Sequence, residues 1–239
     1  MDSTPVLFLP GTLCDERIWL PVWRQLSITQ RRYVPLQWAT SLEDMLALTG
    51  DRVLDGEKVH LVGFSMGGYI ASKWALQNSD KVASLTLVGY NPEGLGVDEI
   101  NRRKQMVSML QNGQFQPDNP AYLKNFVHPD FMPSEQVSQV ITDMGQDLGK
   151  ATLIAHTQST TPREDMVPAL RKAPFHLNLV AAIDDAVVPF DKLTAVAAEL
   201  NHCTLYPIKD AAHMMPLEQP EELASVLRQV LDRTRGKAQ

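Results

Sequence analysis

Ser65 stands in the run HLVGFSMGGYIA, His60 to Ala71, where strand-forming residues end in Gly-Phe-Ser-Met-Gly-Gly and pass at once into a helical pattern. Glycine is poor in helices and weak in strands, so three glycines around one serine indicate a backbone held where side chains would collide. Gly63-x-Ser65-x-Gly67 has the G-x-S-x-G form of a sharp turn that lifts a serine hydroxyl clear of its surroundings. That hydroxyl is weakly nucleophilic at neutral pH. It needs an adjacent base, and the base needs a carboxylate to fix its tautomer and stabilise the imidazolium.

The elements that would carry these groups are legible as alternating apolar runs and amphipathic stretches. Strands are expected at Val6–Gly11, Tyr33–Trp38, Val59–Phe64, Val82–Gly89, Phe175–Ile183 and in CTLYPI, Cys203–Ile208. Helices are expected behind a Ser41 cap, from Met66 onward, over DKLTAVAAEL, and from about Pro216 to Arg235. Continuous apolar strands alternating with helices imply a parallel sheet covered on both faces. Between about Asn91 and Ala173 the alternation stops, and three helical stretches joined by Pro-containing segments take its place. One α/β domain with a helical insertion follows: core 1–90 and 174–239, insertion 91–173. The tail RTRGKAQ is expected to fray.

In open α/β sheets, ligands sit beyond the carboxyl ends of the strands. Ser65 follows the third strand, Asp184 and Asp185 the fifth, and His213 the sixth, so a serine, an acid and a histidine arrive in that order. His60, His176 and His202 fall within or at the start of strands, where packing or surface hydrogen bonds are their roles. His128 and His156 lie in the insertion, where either could line a pocket, and a structural role is the preferred reading for each. Neighbouring side chains leaving a strand point in opposite directions, so one of Asp184 and Asp185 faces His213. Acyl transfer also requires donors for the oxyanion. The backbone N–H of Met66, opening a helix, is one; the other comes from the loop after the first strand, near Thr12.

With these residues in place the chain resembles a serine hydrolase of the α/β-hydrolase fold, of the small, cap-bearing esterase type. The segments that carry the resemblance are GFSMGG, AAIDDAVVP, AAHMMPLEQPEEL and LPGTLCDERIW. It implies a mostly parallel sheet of about six strands with a helical cap after the fourth. It also implies Ser65 as nucleophile, His213 as general base, and Thr12 and Met66 as the oxyanion pair through their backbone N–H groups. The family's acid lies four residues before a proline, and Pro189 then selects Asp185, with Asp184 second. Three departures stand out. Pro10-Gly11 replaces the usual His-Gly, Ala182 replaces the glycine three residues before the acid, and the antiparallel N-terminal hairpin of larger relatives is expected to be missing.

The activity so implied is cleavage of a small carboxylic ester or thioester through an acyl-enzyme. The same three residues could serve C–C bond hydrolysis, lyase or perhydrolase chemistry, or a slow-turnover binding protein. Haloalkane dehalogenation would need an aspartate in place of Ser65. Of the insertion's apolar residues, Met106, Met109, Met132, Met144, Phe115, Phe126 and Phe131 hold its helices together, and part of this set lines an acyl pocket. Trp19 and Trp23 read as core, with Trp19 able to edge the pocket. Cys14 is a spectator.

The formal net charge of −6, with basic residues scattered apart from clusters such as Arg31-Arg32 and Arg102-Arg103-Lys104, speaks against nucleic acid as a partner. No apolar run is long enough to cross a membrane, and the start MDSTPVLFLPG lacks the pattern of a signal peptide. Cytoplasm is therefore the expected location and a small molecule the expected partner, for a monomer or weak homodimer. The two cysteines, Cys14 and Cys203, are expected as free thiols, with no metal and no cofactor.

Overall fold

The computed structural model describes residues 4–235. Six strands form one sheet: β1 (Val6–Leu9), β2 (Arg31–Tyr33), β3 (Val59–Phe64), β4 (Val82–Val88), β5 (His176–Ala182) and β6 (Cys203–Ile208). Their order is β2-β1-β3-β4-β5-β6, and every pairing is parallel. Each βα connection proceeds outward from β1, first to one side and then to the other. The crevice between the ends of β1 and β3 is thus where strand order reverses, the place where open sheets leave room for a ligand.

Burial explains why these segments read as strands. β3 is buried along its whole length and β1 likewise, as expected for strands covered on both faces. One apolar layer gathers Met45, Tyr69, Ile70, Trp74 and Leu193 on one face of the sheet. The other packs Phe8, Trp19, Phe64, Leu223 and Leu227 on the opposite face. Trp19 is fully buried edge-on to Phe8 and Phe64, with ring centroids 5.2 and 6.3 Å away, so it is core and does not border the cavity beside Ser65.

Two elements differ from expectation, each because of a proline. The second strand covers Arg31–Tyr33 rather than Tyr33–Trp38. Val34 N still donates to Phe8 O at 3.0 Å, but Pro35 has no N–H to extend the ladder, and Leu36–Trp38 winds into a 3₁₀ turn. The final helix is two pieces, Met215–Glu218 and Pro220–Arg235, because Pro220 cannot continue the first turn and instead opens the second. Ser41 caps the helix Leu42–Gly50 by accepting from Asp44 N at 3.1 Å. Of the tail expected to fray, Arg233 lies in the last helix and donates to Thr204 Oγ1 at 3.0 Å, while residues 236–239 lie outside the described residues.

No strand occurs among the described residues between β4 and β5. The stretch holds helices Val97–Asn112, Pro120–Leu123, Val140–Ser159 and Val167–Leu170. Val140–Ser159 is interrupted at Gly149, whose φ of 74° breaks the helical path and joins two segments that read as separate helices in sequence. Among the described residues, no helix is long and apolar enough to cross a membrane. Cys14 and Cys203 are free thiols.

Candidate active site

Ser65 is the residue between β3 and the helix Met66–Gln77, with φ 50° and ψ −114°. A non-glycine residue there carries strain of about 1–3 kcal/mol that its surroundings must hold in place. They do so at both ends. Ser65 N donates to Val88 O at 2.9 Å, and Ser65 O accepts from Gly68 N and Tyr69 N at 2.9 and 3.3 Å. The flanking glycines are there for room. A Cβ on Gly67 would lie 2.5 Å from both Leu9 O and Pro10 O, so the helix can start against the end of β1 only with hydrogen at that position.

His213 follows β6 on the short loop before Met215, and its Nε2 lies 3.0 Å from Ser65 Oγ. Its Nδ1 lies 2.8 Å from Asp185 Oδ2. Asp185 follows β5, and its other oxygen, Oδ1, accepts from Val187 N and Val188 N at 2.8 and 2.9 Å. These two bonds fix the carboxylate plane and leave Oδ2 for the imidazole. The bond from Nδ1–H to Asp185 makes Nε2 the free acceptor facing the hydroxyl. Both side chains are almost fully excluded from water, 5% and 1% exposed, with Phe64 and Phe126 flanking the imidazole ring. Asp184 points away: it is exposed, and its Oδ2 lies 3.9 Å from His128 Nε2.

The turn after β1 runs through Gly11–Cys14, closed by Cys14 N donating to Gly11 O at 3.3 Å. Its third residue, Leu13, has φ 53°, a position that favours glycine. The strain is held by a buried histidine of the inserted helices. His156 Nδ1 accepts from Leu13 N at 3.2 Å, and its Nε2 lies 3.1 Å from Leu36 O, to which Nε2–H donates. Thr12 borders the cavity beside Ser65. Met66, fully buried, is the first residue of its helix, and a first helical N–H has no acceptor within the helix. The N-terminus of that helix directly follows Ser65, and Thr12 borders the same cavity as Ser65.

Because it is neutral in the fold, His156 makes acid stability testable. Burial lowers its pKa to about 4, from an ordinary 6.5. As pH falls below 6.5 the unfolded chain takes up a proton first, so this stabilisation is complete above that value and is lost on the way down to about pH 4. At 1.36 kcal/mol per unit this amounts to about 3 kcal/mol. His156→Gln, which keeps an acceptor for Leu13 N but does not titrate there, is expected to lose about 2 kcal/mol less than the parent between pH 7 and 4.5 in urea titrations. Equal losses would show that His156 does not contribute that stability.

A second buried carboxylate ties the His213 loop to the inserted helices. Glu218 accepts from Ala212 N at 2.8 Å and from His128 N at 2.7 Å, and burial raises its pKa despite these donors. Sequence reasoning gave it no role, although it lies in the PLEQPEE segment.

A cavity of about 450 Å³ opens at Ser65. From the inserted helices it takes Met106, Phe126 and Met144, together with Tyr122 and Ile141; Met109, Met132, Phe115 and Phe131 do not border it. Cys14 does border it, but burial pushes its thiol up to about 12, so it is protonated and no nucleophile at neutral pH. His128 and His156 do not border it either. Sequence reasoning missed the polar part of the wall: Glu99, Arg102, Arg103 and Arg163. Arg102 and Arg103 were visible as a basic cluster; Arg163 left no signal. Among the described residues, no group of His, Cys, Asp and Glu side chains could hold a metal ion.

Two comparisons place the fold. The chain is similar to a thermophilic esterase from Thermogutta terrifontis, in a malate-bound structure, with a TM-score of 0.84 at 20% identity, covering 97% of this chain and 90% of that one. It is also similar to an esterase from Exiguobacterium antarcticum, with a TM-score of 0.77 at 20% identity over 96% and 92% of the two chains. A curated relative from Salmonella newport, 2-succinyl-6-hydroxy-2,4-cyclohexadiene-1-carboxylate synthase, is 24% identical over 96% of this chain and 94% of its own length. The model of the alpha/beta hydrolase family matches residues 6–226, nearly the whole described core, and the chain belongs to that family.

Proposed function

We propose that the protein is a serine hydrolase that cleaves a small carboxylic ester or thioester, with Ser65 as nucleophile, His213 as general base and Asp185 as the orienting acid. The observation that carries this reading is the continuous path from Ser65 Oγ to His213 Nε2 (3.0 Å) and from Nδ1 to Asp185 Oδ2 (2.8 Å), at a strained serine facing a cavity. Ser65 Oγ attacks the acyl carbon as its proton passes to His213 Nε2. The N–H groups of Thr12 and Met66 donate to the oxyanion as the tetrahedral intermediate forms. His213 returns the proton to the departing alcohol or thiol. Water, deprotonated by the same nitrogen, then attacks the acyl-serine and releases the acid. The inserted helices act as a cap whose Met106, Phe126 and Met144 shape an apolar acyl pocket.

The test is initial rates on p-nitrophenyl esters of increasing acyl length, followed by mass spectrometry after a covalent serine inhibitor. Activity peaking at one length, with label on Ser65 alone, is the expected result. Label elsewhere, or none on folded protein, would overturn the assignment of the nucleophile. Similarity to a synthase supports a second reading, in which the same three residues serve lyase chemistry. It predicts no acyl-enzyme with any ester.

A further inference from the structure

Two cavities meet at Ser65. The apolar one is described above; the second, about 530 Å³, extends past Tyr90 toward Pro189 and Lys192. Six residues border both: Ser65, Val187, Glu99, Arg102, Arg103 and Arg163. Three guanidinium groups thus stand against one carboxylate, and that carboxylate is taken. Glu99 accepts from Arg102 Nη2 at 2.8 Å and from Arg103 Nε at 2.9 Å.

Arg163 has the Glu99 charge nearby but forms no ion pair of its own. It is only 9% exposed, and among the described residues no carboxylate pairs with it. Its Nε donates to Thr160 O at 3.2 Å and its Nη2 to Thr160 Oγ1 at 3.3 Å, while its guanidinium sits 5.1 and 5.9 Å from the rings of Tyr69 and Tyr90. Two neutral oxygens and two rings leave most of its five N–H donors free. Burial, and after it the Arg103 charge, pull its pKa down to about 10, which Tyr90, Tyr69 and Glu99 offset only in part. A second unfilled group lies beside it. Tyr90 borders the same cavity, and its hydroxyl is buried with no hydrogen-bond partner. Unpaired buried donors of this kind call for an acceptor.

We infer that Arg163 and Tyr90 form a subsite for a carboxylate of the substrate, so that the bond attacked at Ser65 belongs to a half-ester or half-thioester of a dicarboxylic acid. The planar guanidinium fork matches a carboxylate, and Tyr90 borders the cavity beside it. A singly charged group fits better than a phosphate dianion. Glu99 already neutralises part of the arginine cluster, and its own charge repels a second negative charge close by. The subsite explains why the wall next to a largely apolar cavity is basic in a chain whose net charge is −6.

This inference rests on Ser65 as the attacking residue, and its test separates the two. Calorimetric titration of Ser65→Ala protein with monomethyl glutarate, dimethyl glutarate and inorganic phosphate measures binding without turnover. Monomethyl glutarate is expected to bind about 10- to 100-fold more tightly than the uncharged diester, the factor a charge-assisted pair supplies. Adding Arg163→Met is expected to abolish that advantage. Equal binding of the two glutarates overturns the subsite even if Arg163→Met does not fold, and so does an advantage that survives in a folded Arg163→Met. Phosphate binding more tightly than the half-ester overturns the choice of carboxylate. Absence of ester turnover with this binding pattern intact would overturn the hydrolytic chemistry alone.

Discussion

Ser65→Ala is expected to lower kcat on the best p-nitrophenyl ester by on the order of 10⁵- to 10⁶-fold, leaving only what oxyanion donors and binding supply. Alanine keeps the Cβ and the backbone bonds that hold residue 65 at φ 50°, so the fold has no reason to change. The thermal midpoint should stay within about 2 °C of the parent. Substrate binding is expected to persist, because nearly all of the cavity wall is made by other side chains. A variant retaining a tenth of the activity would show that another group attacks, and the assignment of His213 as its base would fall with it.

Asp185→Asn is the second large effect, about 10⁴-fold in kcat, and its cause is the tautomer rather than the loss of structure. The amide oxygen can still accept from Val187 N and Val188 N, which leaves the NH₂ group facing His213 Nδ1. An NH₂ donor there makes Nδ1 the acceptor and places the proton on Nε2, opposite Ser65 Oγ. The base is then already protonated on the side where it must accept. Unchanged stability with a loss of this size is the expected pair of results. A loss below about tenfold would mean that His213 needs no carboxylate to set its tautomer.

Much of this arrangement was legible in the chain because a parallel sheet converts linear order into spatial order. Runs such as Val59–Phe64 and Cys203–Ile208 are predominantly apolar, bounded by turn residues, and each becomes the strand it reads as. The groups after β3, β5 and β6 then arrive on one edge whatever happens between them. The errors came where a local rule outranked hydrophobicity. YVPLQW is apolar enough for a strand, but Pro35 removes the donor its ladder needed. The break before Pro220 has the same origin.

What sequence could not show were contacts made across the chain by residues with an unremarkable local setting. His156 lies in a stretch of helical pattern and reads as core; only the fold carries its ring to Leu13 N and Leu36 O. Arg163, in TTPREDM, has the look of a solvated loop residue. It is buried because Tyr69 and Tyr90 from the sheet side close over it. Pairing and burial of this kind have no period, so no pattern along the chain reports them.

The hydrogen bond from Leu13 N to His156 bears on how such enzymes diversify. An inserted segment that only roofed a pocket could be exchanged between relatives as an interchangeable part, retuning selectivity while the reactive centre stayed constant. Here the roof also serves as scaffolding. One of its helices props the turn that carries Thr12, and its loop at His128 shares Glu218 with the backbone beside His213. Selectivity and reactivity are therefore heritable together. A graft of residues 91–173 from another family member would have to bring an acceptor for Leu13 N and a donor for Glu218, or it would trade a new pocket for a misaligned centre.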